Sequence, residues 1–165
     1  MTIAYSFNNW AGAADNFSPR MNEQVFREAS KVTLAYIGSF IFTIGIQVVF
    51  KVKSVKNHQQ LKKTGSKEKY DRYQDEIMIP VDRSVGNFME WQGSFILLFW
   101  MNAYLRGQDI WVGWIYVAVR MLYPLLALAG GVSRKGAQPL IFLTTVPGYA
   151  VLSYYGYQIY KVLYQ

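Results

Sequence analysis

At 165 residues the chain is one domain's worth. With 52% hydrophobic and 17% aromatic residues it is more apolar than a soluble domain of that size needs, although polar segments dilute its apolar runs to a mean hydropathy of +0.08. The lack of cysteine excludes disulfides, thiolate metal sites and a cysteine nucleophile. The only histidine, His58, lies among Lys, Asn and Gln, which argues against a histidine metal cluster or a Ser-His-Asp triad. Any thiol chemistry would have to come from a substrate. The net charge of +7 is gathered in connecting segments rather than laid out as a nucleic-acid stripe, so a membrane topology explains it better than a nucleic-acid partner does.

Residues 1–28 read as an N-terminal extension. They include Trp10, Asp15, Pro19, Arg20 and Glu23, and have neither the basic start and apolar core of a cleaved signal nor the acid-poor composition of a transit peptide. Trp10 suits a membrane interface. The rest, residues 29–165, is predicted as a four-span membrane domain. Its first span, about 31–53, has about 19 uncharged residues between Lys31 and Lys51, enough to cross a bilayer. Gly38 and Gly45 stand one heptad apart, where a second helix could approach closely.

Between residues 54 and 79 the composition turns polar and basic, with Lys56, Lys62, Lys63, Lys67, Lys69 and Arg72 only partly offset by Glu68, Asp71, Asp75 and Glu76. This segment is expected to be a solvated loop, with a surface helix or a partner contact as the alternative. Pro80 then sits where a helix tolerates proline, in the first turn of a second span over about 81–105.

That second span holds the most informative stretch, Asp82–Leu98, reading DRSVGNFMEWQGSFILL. At 100° per residue, Arg83, Asn87, Glu90 and Ser94 fall within roughly 60° of one another, while Phe88, Trp91, Phe95 and Phe99 point the other way, toward lipid on this reading. Ionisable side chains in a span cost at least ~2.5 kcal/mol each and usually face a bundle interior or a watery cavity. Arg83 and Glu90, about two turns apart, can neutralise each other as a structural ion pair or hold a zwitterion beside Asn87.

The tetrad Arg106-Gly107-Gln108-Asp109 turns the chain at once, so the second and third helices are expected to be antiparallel neighbours. The third span, about 109–131, carries Arg120, with Tyr116 one turn before it and Tyr123 one turn after. Pro124 cannot bond the carbonyl of Arg120, which predicts a kink and a free acceptor there. Ser133–Gly136 forms a short basic loop, and a fourth span, about 138–160, ends in a tyrosine-rich segment read mainly as an interfacial belt: Tyr149, Tyr154, Tyr155, Tyr157, Tyr160 and Tyr164. Four spans place both termini on one side. The two basic loops then share the cytoplasmic face, or its stromal or matrix equivalent.

These residues resemble a known family. RSVGNFMEWQGSFILLFWMNA is similar to the second helix of the MAPEG family (membrane-associated proteins in eicosanoid and glutathione metabolism, among them the microsomal glutathione transferases), with its Arg-x-x-x-Asn-x-x-Glu pattern. IYVAVRMLYPLL is similar to the third helix, with its Arg-x-x-Tyr pattern. The resemblance implies an all-α, integral membrane four-helix bundle in the endoplasmic reticulum or an organellar membrane, mitochondrial or plastid. It also implies a homotrimer with glutathione bound between subunits near the cytoplasmic face. Carried over residue by residue, Arg83, Asn87 and Glu90 would hold the charged ends of the tripeptide together with Arg120 and Tyr123. Arg134, fourteen positions after Arg120, would stabilise the glutathione thiolate as the catalytic residue. No metal is implied.

The sequence departs from the pattern at Ala127, where conjugating members have tyrosine, at Trp91, and in the long segment between the first two helices. Two readings therefore stand side by side. One is a glutathione-dependent transferase or peroxidase acting on a lipophilic small molecule that enters from the membrane lipid. The other is a non-catalytic subunit of a larger membrane complex, binding proteins through its extension, basic loop and tyrosine-rich end.

Overall fold

A computed structural model of the chain describes residues 20–65 and 69–164. The expectations for residues 1–19, Trp10 at an interface among them, lie outside the described residues. Four helices make up most of the described chain: α1 over Glu23–Lys63, α2 over Met78–Arg106, α3 over Val112–Leu126 and α4 over Phe142–Tyr164. A π turn, Ala127–Gly131, closes α3. A small hairpin follows, pairing β1 (Val132–Ser133) with β2 (Gly136–Ala137). The π turn needs its glycines. Gly130 has φ +102°, and a Cβ on Gly131 would stand 2.6 Å from the Leu126 carbonyl oxygen.

Helix α1 starts where the Asn22 side chain accepts the Val25 N–H at 2.9 Å. It runs for 41 residues, about 60 Å at 1.5 Å per residue, roughly twice the thickness of a hydrocarbon core. The solvated loop expected from residue 54 is therefore corrected: residues 54–63 continue the helix, as does Glu23–Glu28 of the expected extension. Nothing between Ser54 and Lys63 breaks a helix, and Ser54 is buried where its hydroxyl meets Tyr70 at 3.0 Å and bonds Asp75. Only the segment after Lys63 leaves the helix, and it folds back to begin α2 at Met78. Asp75 receives the N–H groups of Ile77 and Met78 just ahead of that turn.

Helices α2 and α3 each pack chiefly on α1 and α4, and meet one another less, across the diagonal of the bundle. The expectation that the short link would make them side-by-side neighbours is thus corrected. Gly113 allows the crossing, because a Cβ there would stand 2.8 Å from both Phe99 of α2 and Val32 of α1. Further along, Phe95 and Tyr116 stack with centroids 4.0 Å apart and planes 10° from parallel. Tyr36 of α1 joins them, 4.9 Å from Phe95 and 4.8 Å from Phe88, and Phe99 meets Tyr155 of α4 at 5.9 Å.

This aromatic column reverses the expected orientation of α2: Phe88, Phe95 and Phe99 are buried in the core, not turned to lipid, while Trp91 is half-buried against Tyr149. In lipid an apolar face gains no hydrophobic energy by turning either way, so close packing decides which face is inside. At Gly38 and Gly45 a Cβ would have no atom within 4 Å, so no other described helix of the protomer makes close contact there.

Tyr155 is fully buried and Tyr154 half-buried, which takes both out of the expected interfacial belt. Their hydroxyls donate to the carbonyl and carboxylate of Asp109, at 3.1 and 2.8 Å, and so anchor the α2–α3 link, where Asp109 itself has φ +58°. At the opposite end the Arg134 guanidinium donates to the Gln74 carbonyl, bringing the hairpin against the α1–α2 segment. Two of the four helices, α1 and α3 with its π turn, are by length and composition apolar enough to cross a membrane.

Candidate functional site

Among the described residues the bundle buries one arginine. Arg120 points from α3 into the space between helices and is 4% exposed. One terminal nitrogen donates to the Asn87 side-chain oxygen of α2 and the other to the Tyr116 hydroxyl at 2.8 Å. The guanidinium carbon also lies 4.7 Å over the Tyr116 ring, a cation–π contact. On α4, Gly148 faces this group, and a Cβ there would meet the guanidinium at 3.8 Å, an ordinary van der Waals contact.

What Arg120 lacks is an anion. Among the described residues no carboxylate lies within ion-pair distance of it, and its Nε–H is buried without a partner. A cation taken out of water costs several kcal/mol unless an opposite charge or a full set of hydrogen bonds compensates it. Nε is the one guanidinium nitrogen left with no partner at all, and it is enclosed by protein.

The remaining residues singled out on α2 and α3 divide into two groups. Asn87 is half-buried and bonded to Arg120, and Tyr123 is buried one turn beyond it. Arg83 and Glu90 are exposed on the outer face of α2. The expected convergence of Arg83, Asn87, Glu90 and Arg120 between helices is therefore partial. Arg83 and Glu90 form no ion pair with each other, which removes the structural-ion-pair reading. Their helix also carries Gly86 and Gly93, neither with any atom within 4 Å of a Cβ position.

Arg134 does not join this group. It is exposed, donates to Gln74 and lines a cleft of about 970 Å3 between the end of α1 and residues 69–77, a cleft whose walls include none of the α2 and α3 residues above. Beside that cleft lies a polar network absent from the sequence-based expectations. Arg72 Nε donates to Asp82 at 2.7 Å, and Gln47 of α1 donates to the same carboxylate at 2.8 Å, so one acid ties α1, α2 and their connection together. The hydrogen bond with Asp82 raises Arg72 further above its ordinary range. At Asp75 burial opposes ionisation, but hydrogen bonds from Ser54, from the Ile77 and Met78 N–H groups and from Tyr70 outweigh it and hold the carboxyl below its usual value. Gln47 is the one signal available beforehand, as an amide side chain in the last turn of an otherwise apolar run.

Compared with known proteins, the chain matches the family model of the MAPEG family over residues 32–156, a range that contains every site residue discussed above. No curated protein and no solved structure matches it.

Proposed function

The chain belongs to the MAPEG family, a family of helical membrane proteins, and from that premise we propose that it is a multi-pass membrane protein that binds glutathione against α2 and α3 and uses its thiol on a lipophilic electrophile. The observation that carries this reading is Arg120: a buried guanidinium with no carboxylate beside it among the described residues and its Nε–H unspent. Glutathione presents two carboxylates, an α-amino group and a thiol. Arg120 and Arg83 suit the carboxylates, the Asn87 amide nitrogen is free to donate because its oxygen is taken by Arg120, and Glu90 suits the α-amino group.

Exposure of Arg83 and Glu90 fits a site shared between copies. Within a span, lipid contact would cost each at least ~2.5 kcal/mol, and Gly86 and Gly93 on the same helix let a second copy approach closely. We take the assembly to be a homotrimer, as the resemblance implies, in an endoplasmic reticulum or organellar membrane.

In the reaction, a cation beside the thiol favours the thiolate, and the proton leaves to solvent. The sulfur then forms a bond to the electrophilic carbon as the leaving group departs with its electron pair. Arg134 lines a separate cleft that contains none of these residues, so this reading leaves the thiolate to the field of the α2 and α3 arginines that hold the carboxylates. The test is conjugation of glutathione to chlorodinitrobenzene, and reduction of a lipid hydroperoxide, by the purified protein. Turnover lost in Arg120→Met supports the reading, and no turnover in the folded wild type counts against it.

A second reading, a non-catalytic subunit of a membrane complex, is favoured by one observation. Ala127, at the position of the tyrosine of conjugating members, is buried in an apolar cluster with Val132 and Ile141. Position 127 itself offers no hydroxyl, although Tyr123 of the same cluster carries one.

A further inference from the structure

The cleft of about 970 Å3 at the end of α1 lies outside the helix pair discussed above, and its polar groups are unevenly committed. Its acids are already served: Asp75 accepts from Ser54 and from two backbone N–H groups, and Asp71 accepts the Tyr73 N–H at 2.9 Å. Arg72 is spent on Asp82. The unspent groups are mainly donors. Lys69 is exposed and makes no ion pair among the described residues. Arg134 uses one nitrogen on Gln74 and keeps its others. The His58 ring rests on Tyr70 with centroids 5.3 Å apart, and its Nε2 is buried without a partner.

We propose that this cleft binds a phosphate monoester, gripped by Lys69, Arg134 and His58. A guanidinium, an ammonium and an imidazole lining one cleft suit a tetrahedral dianion with three terminal oxygens better than a carboxylate with two. Position agrees with the chemistry. The apolar run of α1 ends at Phe50, and Ser54–Leu61 stands roughly 5–15 Å beyond Lys51 at 1.5 Å per residue, across and just past a headgroup layer of about 5–8 Å. The phosphate can therefore come from a lipid headgroup or from a soluble ester, and the cleft is open to both.

The test uses the full chain in nanodiscs of phosphatidylcholine, titrated calorimetrically with glycerol phosphate, and in parallel with nanodiscs doped with phosphatidate or with phosphatidylserine. Lys69→Gln and His58→Phe serve as variants, since neither side chain makes a hydrogen bond among the described residues and phenylalanine keeps the stacking on Tyr70. Saturable binding of glycerol phosphate that weakens about tenfold in each variant assigns a soluble ligand. The same loss seen only with phosphatidate assigns a lipid headgroup, and loss with both assigns the shared phosphate chemistry. The proposal is overturned if neither ester binds, if the variants bind like wild type, if phosphatidylserine does as well as phosphatidate, or if glutathione displaces the phosphate.

Discussion

Glu90 offers the cleanest separation of ligand binding from folding. It is exposed on the outer face of α2 and forms no ion pair with any described residue of the protomer, so Glu90→Gln removes a charge without opening a cavity or stranding a partner. Because Glu90 bonds no described residue, the change should move the stability of the protomer itself by no more than about 0.5 kcal/mol. If its carboxylate holds the α-amino group of glutathione, the lost charge-assisted hydrogen bond is worth about 1.5–3 kcal/mol, and at 1.4 kcal/mol per decade the affinity should fall roughly 10- to 150-fold. Calorimetric titration of the detergent-solubilised variant, with its melting temperature measured alongside, reads both quantities. Unchanged affinity would refute the assignment of Glu90 to the α-amino group. A large drop in melting temperature without a change in affinity would make Glu90 a structural residue of the assembly instead.

Further outcomes follow from the same geometry. Tyr116→Phe removes the hydroxyl that accepts from Arg120 at 2.8 Å and leaves a second buried guanidinium donor unpaired, so thermal stability should fall by about 1–3 kcal/mol, read by calorimetry. Gly113→Ala drives a methyl to 2.8 Å from Phe99 and Val32, and overpacking of this kind should cost about 1–3 kcal/mol in the same assay. Asp75 has a lowered carboxyl pKa, so its contribution is present above the unfolded value of about 3.9 and is lost as pH falls through the lower folded value; limited proteolysis of residues 69–77 should accelerate in that acid range, and Asp75→Asn should abolish the pH dependence. Arg134→Ala should leave the pKa of bound glutathione thiol unchanged by ultraviolet titration, whereas a rise would return Arg134 to the catalytic role suggested by its spacing from Arg120.

Much of the site can be read from residue types alone. An arginine between two tyrosines at helical spacing in an apolar run has to find polar company, and Arg120 finds Asn87 and Tyr116. Which face of α2 turns inward cannot be read the same way. Within the protomer the rule that charges face a bundle interior gives way: Arg83 and Glu90 are exposed, and packing of Phe88, Phe95 and Phe99 with Tyr36 and Tyr116 sets the rotation.

The end of α1 escapes a composition-based reading for a related reason. High charge density over residues 54–63 signals solvent, but it does not signal loop, and with no glycine or proline between Gly45 and Gly65 the helix has no cause to stop. Tyr154 and Tyr155 show the limit of composition: a tyrosine-rich helix end suits an interface, yet these two are fixed by Asp109, a partner 45 and 46 residues away that periodicity within one helix cannot reveal.

If the unspent guanidinium of Arg120 awaits a carboxylate of glutathione, then direct titration of the intact, folded protein with glutathione should reveal it. Saturable binding at about millimolar concentration or below, weakened more than tenfold in Arg120→Met, is the expected result. Heats no larger than dilution at millimolar glutathione, from wild-type protein with an intact melting transition, would contradict it and leave only the fold.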